Sequence, residues 1–196
     1  TSVAELAASV SVLEPNQNRD SVNHLEELLG RVPNVNFSSG GSRARFFQVR
    51  GIGERGQFSE PLNASVGLLV DGVDLSGLGT AATLSDVSQV EIFRGPQGTV
   101  FGANALAGLI NVVTPDVAEE FSGSFEAGLG NYAATEVGGA LSGPLTDQIG
   151  MRFSAHQYKD DGFISNIFNN RDDTDNHDET TFRAKFVGEL EQGGWQ

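Results

Sequence analysis

Val90-Glu91-Ile92-Phe93-Arg94-Gly95-Pro96-Gln97-Gly98-Thr99-Val100-Phe101-Gly102-Ala103-Asn104-Ala105-Leu106-Ala107-Gly108-Leu109-Ile110-Asn111-Val112-Val113-Thr114 is the stretch on which the reading of this chain turns. Val90–Arg94 has the character of a strand, and Gly95-Pro96 stops it, because proline has no N–H to give to a ladder. Ala103–Leu106 has the composition of a short helix. Leu109–Thr114 is apolar and largely β-branched, hence extended again. Strand, turn, short helix and strand within 25 residues, closed by Pro115, describe a small domain of mixed class.

Upstream the same interleaving continues. Ala8–Leu13 reads as a strand and Asp20–Arg31 as a helix, with Asp20 or Ser21 as its cap and Leu25, Leu28 and Leu29 on one face. His24 in that helix is expected at the surface. Pro33 ends it. Val35–Phe37, Phe46–Arg50 and Ser65–Val70 read as extended, the last ending at the turn signal Asp71-Gly72. A second helix is expected over Thr83–Val87.

Downstream of Pro115 the period becomes two. Phe121, Gly123, Phe125, Ala127 and Leu129 alternate with Ser122, Ser124, Glu126 and Gly128. Further alternating runs cover Thr135–Ser142, Ile149–His156 and Phe182–Glu189. Four amphipathic strands in series suit either a sandwich or a membrane barrel, and periodicity alone leaves both open. A tight turn at Gly130-Asn131-Tyr132 joins the first two strands, and a long acidic loop around Asp160–Glu179 joins the last two.

Composition fits this division. The chain has 196 residues with a net charge of -14. Residues 1–115 carry 7 basic and 11 acidic groups, and residues 116–196 carry 5 and 15. Such acidity excludes a nucleic-acid binder, which needs lysine and arginine to displace counterions. Mean hydropathy is -0.19. Gly95–Pro115, the longest uncharged stretch, is interrupted by Pro96, Gln97, Asn104 and Asn111, so no helical span is expected. A barrel remains compatible, since its strands are apolar only at alternate residues. There is no cysteine, which removes disulfides and thiolate sites. Thr1–Ala8 does not read as a signal peptide.

Several motifs invite a chemical reading. Gly51-Ile52-Gly53-Glu54-Arg55-Gly56 is a literal G-x-G-x-x-G with Asp71 twenty residues beyond Gly51. A dinucleotide site would need a helix next, yet Gln57–Asn63 contains Pro61 and no apolar helical period. A glycine-rich turn is the better reading, and a nucleotide-binding oxidoreductase the poorer one. Gly95-Pro96-Gln97-Gly98 lacks the Lys-Ser/Thr ending of a phosphate loop, and His24, His156 and His177 have no metal-ligand spacing. No active site assembles, so no enzyme is expected and no cofactor is required. Asp172, Asp173, Asp175 and Asp178 lie close enough in sequence to form a calcium site, the alternative being a plain solvated loop.

The ordered features of Val90–Thr114 resemble the end of the plug domain of TonB-dependent outer-membrane receptors, which reads strand, Arg-Gly-Pro, Tyr/Phe-Gly, short helix, Gly and Ile-Asn-Val. Leu25–Val35 is similar to that family's leucine helix with Pro-x-Val, Val49-Arg50-Gly51 to its Ile-Arg-Gly, and Leu68–Val73 to its strand ending in Asp-Gly-Val. The resemblance implies a plug over residues 1–115, an α/β domain with a small mixed sheet and short helices, and the first antiparallel strands of a transmembrane β-barrel over 116–196. A plugged transporter of this kind has ~22 strands. At ~10 residues per strand, several hundred residues are therefore expected beyond this chain, with the TonB box and signal peptide expected before it.

The resemblance implies TonB-dependent uptake of a scarce or bulky ligand, foremost an iron–siderophore complex, across the outer membrane of a Gram-negative bacterium. A signalling receptor of the same architecture is the alternative. Implied partners are TonB of the inner-membrane energising complex, outer-membrane lipid and the small-molecule ligand. The alternation of plug strands gives loops Ser38–Arg45 and Leu75–Ala81 one parity and Gly53–Asn63 the other. By resemblance, the first two face the ligand, with Ser39, Gly40, Gly41, Arg43, Arg45, Ser76, Gly77 and Leu78 as contacts; Arg43 and Arg45 suit an anionic ligand. Arg50 and Arg94 match plug arginines that pair with barrel glutamates, so both are expected to lock plug to barrel.

Overall fold

The computed structural model describes residues 9–15, 22–39, 43–56, 64–78, 83–98 and 104–188. It divides into two compact units, Thr1–Pro115 and Asp116–Gln196.

The first unit is built on a mixed five-stranded sheet in the order β1-β6-β7-β4-β5. Its strands are β1 (Ser9–Leu13), β4 (Val66–Val70), β5 (Val73–Asp74), β6 (Gln89–Arg94) and β7 (Gly108–Val113). β4 and β7 run parallel and the other pairs antiparallel. A parallel pair needs a long crossover; here it spans the chain from Val70 to Gly108 and contains β6. The strands β2 (Val35–Ser38) and β3 (Phe46–Val49) form a separate antiparallel ribbon. The helix α1 (Leu25–Leu29) turns Leu25, Leu28 and Leu29 inward. They join Val49, Leu68, Val90, Ile92, Ile110 and Val112 in one core.

Four local expectations are corrected. The helix is only five residues long, starting at Leu25 behind an extended His24 whose side chain makes no cap; Asp20 and Ser21 lie outside the described residues. His24 is fully buried, not at the surface. Thr83–Val87 is no helix: Thr83 bridges to His24, and Asp86 sits at φ 53, which no right-handed helix admits. Asn104–Leu106 is likewise not helical, and Ala103 lies outside the described residues. Its backbone is already used by the sheet, since the amides of Gly95 and Gln97 donate to the carbonyls of Ala107 and Ala105 and prolong the β6–β7 ladder.

The second unit is an antiparallel sheet in the order β13-β10-β9-β8. It comprises β8 (Ser122–Leu129), β9 (Thr135–Pro144), β10 (Ile149–Asp160) and β13 (His177–Gly188). The acidic connection after β10 is not a plain loop, because Ile164–Asn166 (β11) and Arg171–Thr174 (β12) pair as a hairpin. Its last residues, His177–Glu179, already belong to β13.

Register sorts the side chains of this sheet onto two faces. Phe125, Gly139, Ala155 and Phe182 form one cross-strand row, and Leu141, Phe153 and Ala184 the next. This apolar face is the exposed one, and on it Phe153 meets Phe186 edge to face with ring centroids 5.4 Å apart. The polar face carries Ser142, His156 and Asp160 and is the more covered. An apolar face this open is unstable in water and is what a lipid-facing strand presents. No helix among the described residues is long and apolar enough to cross a membrane, which leaves crossing by strands untouched.

Candidate ligand-facing loops and plug arginines

A hydrogen bond joins the two loops expected to face a ligand. Nε of Arg45 donates to the carbonyl of Gly77 at 2.9 Å, and its guanidinium lies 5.4 Å from the centroid of the Phe46 ring. Ser76 is fixed beside it: its amide donates to Oδ1 of Asp74 at 2.9 Å, and its hydroxyl accepts the Leu68 amide at 3.0 Å. Leu78 presents an apolar side chain that is 57% exposed. Ser39 is exposed at the end of β2. Gly40 and Gly41 lie outside the described residues.

Arg43 behaves differently from Arg45. Its side chain is buried, and Nη1 pairs with Oε1 of Glu26 at 2.8 Å. The other Glu26 oxygen accepts the amide of Ala44 at 2.7 Å, so Glu26 clamps the loop to the turn beginning α1. A guanidinium held this way serves the domain's interior, and the expectation that Arg43 meets an anionic ligand loses its geometric support.

Asp74, the last residue of β5, is held below the usual carboxylate range. Burial acts to raise it, but the hydroxyl and amide of Ser76 and the side-chain amide of Asn104, 2.6 Å away, together outweigh that.

The glycine-rich motif is a structural turn. Val49 and Ile52 exchange both backbone hydrogen bonds around Arg50-Gly51, whose φ values of 53 and 82 make a tight left-handed turn. A Cβ on Gly53 would lie 2.2 Å from the carbonyl oxygen of Phe47, so no other residue fits. Residues 57–63, where a dinucleotide site would place its helix, lie outside the described residues. Arg50 therefore stands exposed at a turn tip, with its amide bonded to the Asn34 carbonyl at 2.8 Å. Arg94 lies at the end of β6 and reaches across to β1, donating to the hydroxyls of Ser9 at 3.2 Å and Ser11 at 2.7 Å. Its Nε is buried with no hydrogen-bond partner among the described residues.

The four aspartates proposed for calcium are not drawn together. Asp173 is held by Nε and Nη2 of Arg171 at 2.8 and 3.0 Å, and that ion pair lowers the carboxyl's pKa while raising that of the arginine. Asp178 faces Lys159 at 3.8 Å across the β10–β13 ladder. Asp175 occupies the turn before β13 at φ 70. One group of three metal-ligating side chains does converge among the described residues: Glu126, Glu136 and His156.

Of these contacts, the sequence signalled only the turns. The Arg43–Glu26 and Arg45–Gly77 pairs link residues 17 and 32 positions apart, with no local pattern to announce them.

Fold and register together define a mixed-sheet domain followed by amphipathic antiparallel strands suited to a membrane. The TonB-dependent receptor plug domain family matches residues 2–109, and the chain belongs to that family. The pesticin receptor of Yersinia enterocolitica is 32% identical over 145 residues, 74% of this chain and 21% of the relative. The ferric enterobactin receptor PirA of Pseudomonas aeruginosa is 29% identical over 187 residues, 81% of this chain and 24% of the relative. Among solved structures, the ferric yersiniabactin uptake receptor FyuA of Yersinia pestis superposes with a TM-score of 0.77 at 28% identity, covering 91% of this chain and 28% of that one. The chain thus spans about a fifth to a quarter of the length of these curated relatives. The family is one of outer-membrane receptors of Gram-negative bacteria, and both parts of the expected architecture, plug and antiparallel strands, are present.

Proposed function

We propose that this chain supplies the gate and first wall strands of a transporter that carries a ferric siderophore across the outer membrane with energy delivered through TonB. The observation that carries the reading is the succession of a plug domain and a sheet whose exposed face is apolar. The ligand class follows the relatives, two of which are named as receptors for ferric enterobactin and ferric yersiniabactin. The reaction is a change of conformation: ligand bound on one side of the plug is released on the other once the plug is rearranged.

Ligand contact is assigned to Ser39, Arg45, Ser76, Gly77 and Leu78, because Arg45 ties the two loops into one surface. Arg45 brings charge for an anionic complex and Leu78 an apolar contact. Arg50 and Arg94 are assigned to holding the plug in the barrel. The exposed guanidinium of Arg50 supports this, since it leaves donors for a carboxylate outside the chain, whereas Arg94 is assigned by its match to the family's plug arginines and spends its Nη donors on Ser9 and Ser11. Removing one member of a buried pair costs about 3–5 kcal/mol, enough to loosen a seated domain.

The test is radio-iron uptake from a panel of ferric siderophores by cells carrying the intact receptor, with and without TonB. Accumulation of at least one siderophore that disappears without TonB is expected, and uptake indifferent to TonB overturns the proposal. Arg50→Ala and Arg94→Ala should raise passive leakage through the barrel; a sealed lumen in both would remove the locking role.

A further inference from the structure

We infer that Glu126, Glu136 and His156 form a binding site for a divalent first-row metal ion on the polar face of the four-stranded sheet. The three residues come from the adjacent strands β8, β9 and β10. Glu126 and His156 are both register partners of Gly138, so they flank it from either side, and Glu136 lies two residues earlier on the same face of β9. One ligand atom from each side chain lies within 4.8 Å of the other two. Nε2 of His156 is 2.9 Å from Oε1 of Glu136. Bonds of ~2.0–2.1 Å to a tetrahedral zinc ion separate its ligand atoms by roughly 3.4 Å, so side-chain rotations alone would open the site to size.

Gly138 is what permits the convergence. A Cβ there would lie 2.7 Å from Oε1 of Glu126 and 2.8 Å from Cδ2 of His156. Without that side chain, both heads close over the backbone of β9. The side chains of His156 and Glu136 are only 10% and 17% exposed, which positions them before any ion arrives. One imidazole nitrogen and two carboxylates make a nitrogen–oxygen donor set. It suits zinc or a neighbouring first-row ion and leaves a position for water, whereas calcium and magnesium favour oxygen alone. A simple His–Glu hydrogen bond engages Glu136 and does not include Glu126 beside it. A divalent ion would engage both glutamates and staple three strands.

The experiment uses the intact receptor, purified in detergent, stripped with chelator and titrated with zinc chloride beside Glu136→Gln and His156→Gln. The native protein should bind one equivalent that both variants lack. Their affinity should fall by more than the roughly 10–100-fold that loss of an outer-shell partner costs. Cobalt chloride should give the native protein visible absorption bands that the variants do not show. Equal zinc binding by all three proteins, or native protein without cobalt bands, overturns the site; a hydrogen-bonded pair that takes no ion would appear this way. Heat-modifiable migration on gels reports whether each barrel is folded. If His156→Gln fails that check, Glu126→Gln replaces it, since Glu126 is the exposed member of the cluster.

Discussion

In the first unit Leu68, Ile92 and Ile110 have no exposed surface, whereas in the second Phe125, Leu129 and Phe182 are 78%, 89% and 79% exposed while Ser142 and Asp160 are buried. One physical effect produces both arrangements. Apolar surface leaves water wherever it can. In a water-soluble domain the retreat is inward, and in a membrane strand it is outward into hydrocarbon. The turn from one regime to the other falls between Pro115 and Asp116 and is visible as a change of period from mixed to strictly two. The lesson is that exposure of a phenylalanine means opposite things in the two halves.

Substitutions in matched positions should break or sharpen that contrast. The largest effect is expected from Ile110→Ala, at the centre of β7, where β6 and β4 flank it on both sides. A buried isoleucine truncated to alanine costs about 2–5 kcal/mol. Amide hydrogen exchange across β6 and β7 in the intact receptor should accelerate accordingly. Unchanged protection would mean that the plug core is not what holds that sheet. A somewhat smaller loss is expected from Phe153→Arg on the apolar face, about 2–4 kcal/mol at mid-bilayer depth and less near the interfaces. Folding yield into lipid vesicles measures it. An arginine tolerated there without cost would argue that this face does not meet lipid.

The smallest effect concerns pH. Asp74 is held below its ordinary pKa, so it contributes stability above its unfolded value and loses that contribution as pH falls through the lower, folded value. Asp74→Asn should therefore flatten the acid side of the plug's stability profile and leave the alkaline side alone. An acid limb of unchanged steepness, followed by hydrogen exchange in β4 and β5, would assign that limb to other carboxylates.

Legibility followed the range of the interactions. Asp71-Gly72 announced the β4–β5 turn because its left-handed φ values, 48 and 81, are a local demand. The two faces of β8, β9 and β10 followed from alternation, whereas their pairing partners did not, since slips of two residues keep the same faces. What failed was helix. Thr83–Val87 has the composition for one, yet Leu84 and Val87 are drawn separately into the core and Thr83 into a bridge. The β11–β12 hairpin was hidden by its acidity, because Arg171 and Asp173 neutralise each other locally in a way that charge counting misses. Among the site residues, Arg43 and Arg45 look alike in sequence two positions apart. Only the fold separates them, sending one to Glu26 and the other to Gly77.

The edge strand β1 gives the first unit a mechanical grain. Among the described residues it meets the sheet along one side, through five residue pairs with β6, with Arg94 gripping the hydroxyls of Ser9 and Ser11. A pull directed away from that edge loads those rungs one after another and peels the strand like a zip. The same pull along the strand axis must shear all five at once. β7, bonded to neighbours on both sides, has no free edge to peel from. Tension therefore meets a weak direction and a strong one in the same sheet, and the first piece to come away is the strand nearest the chain's start.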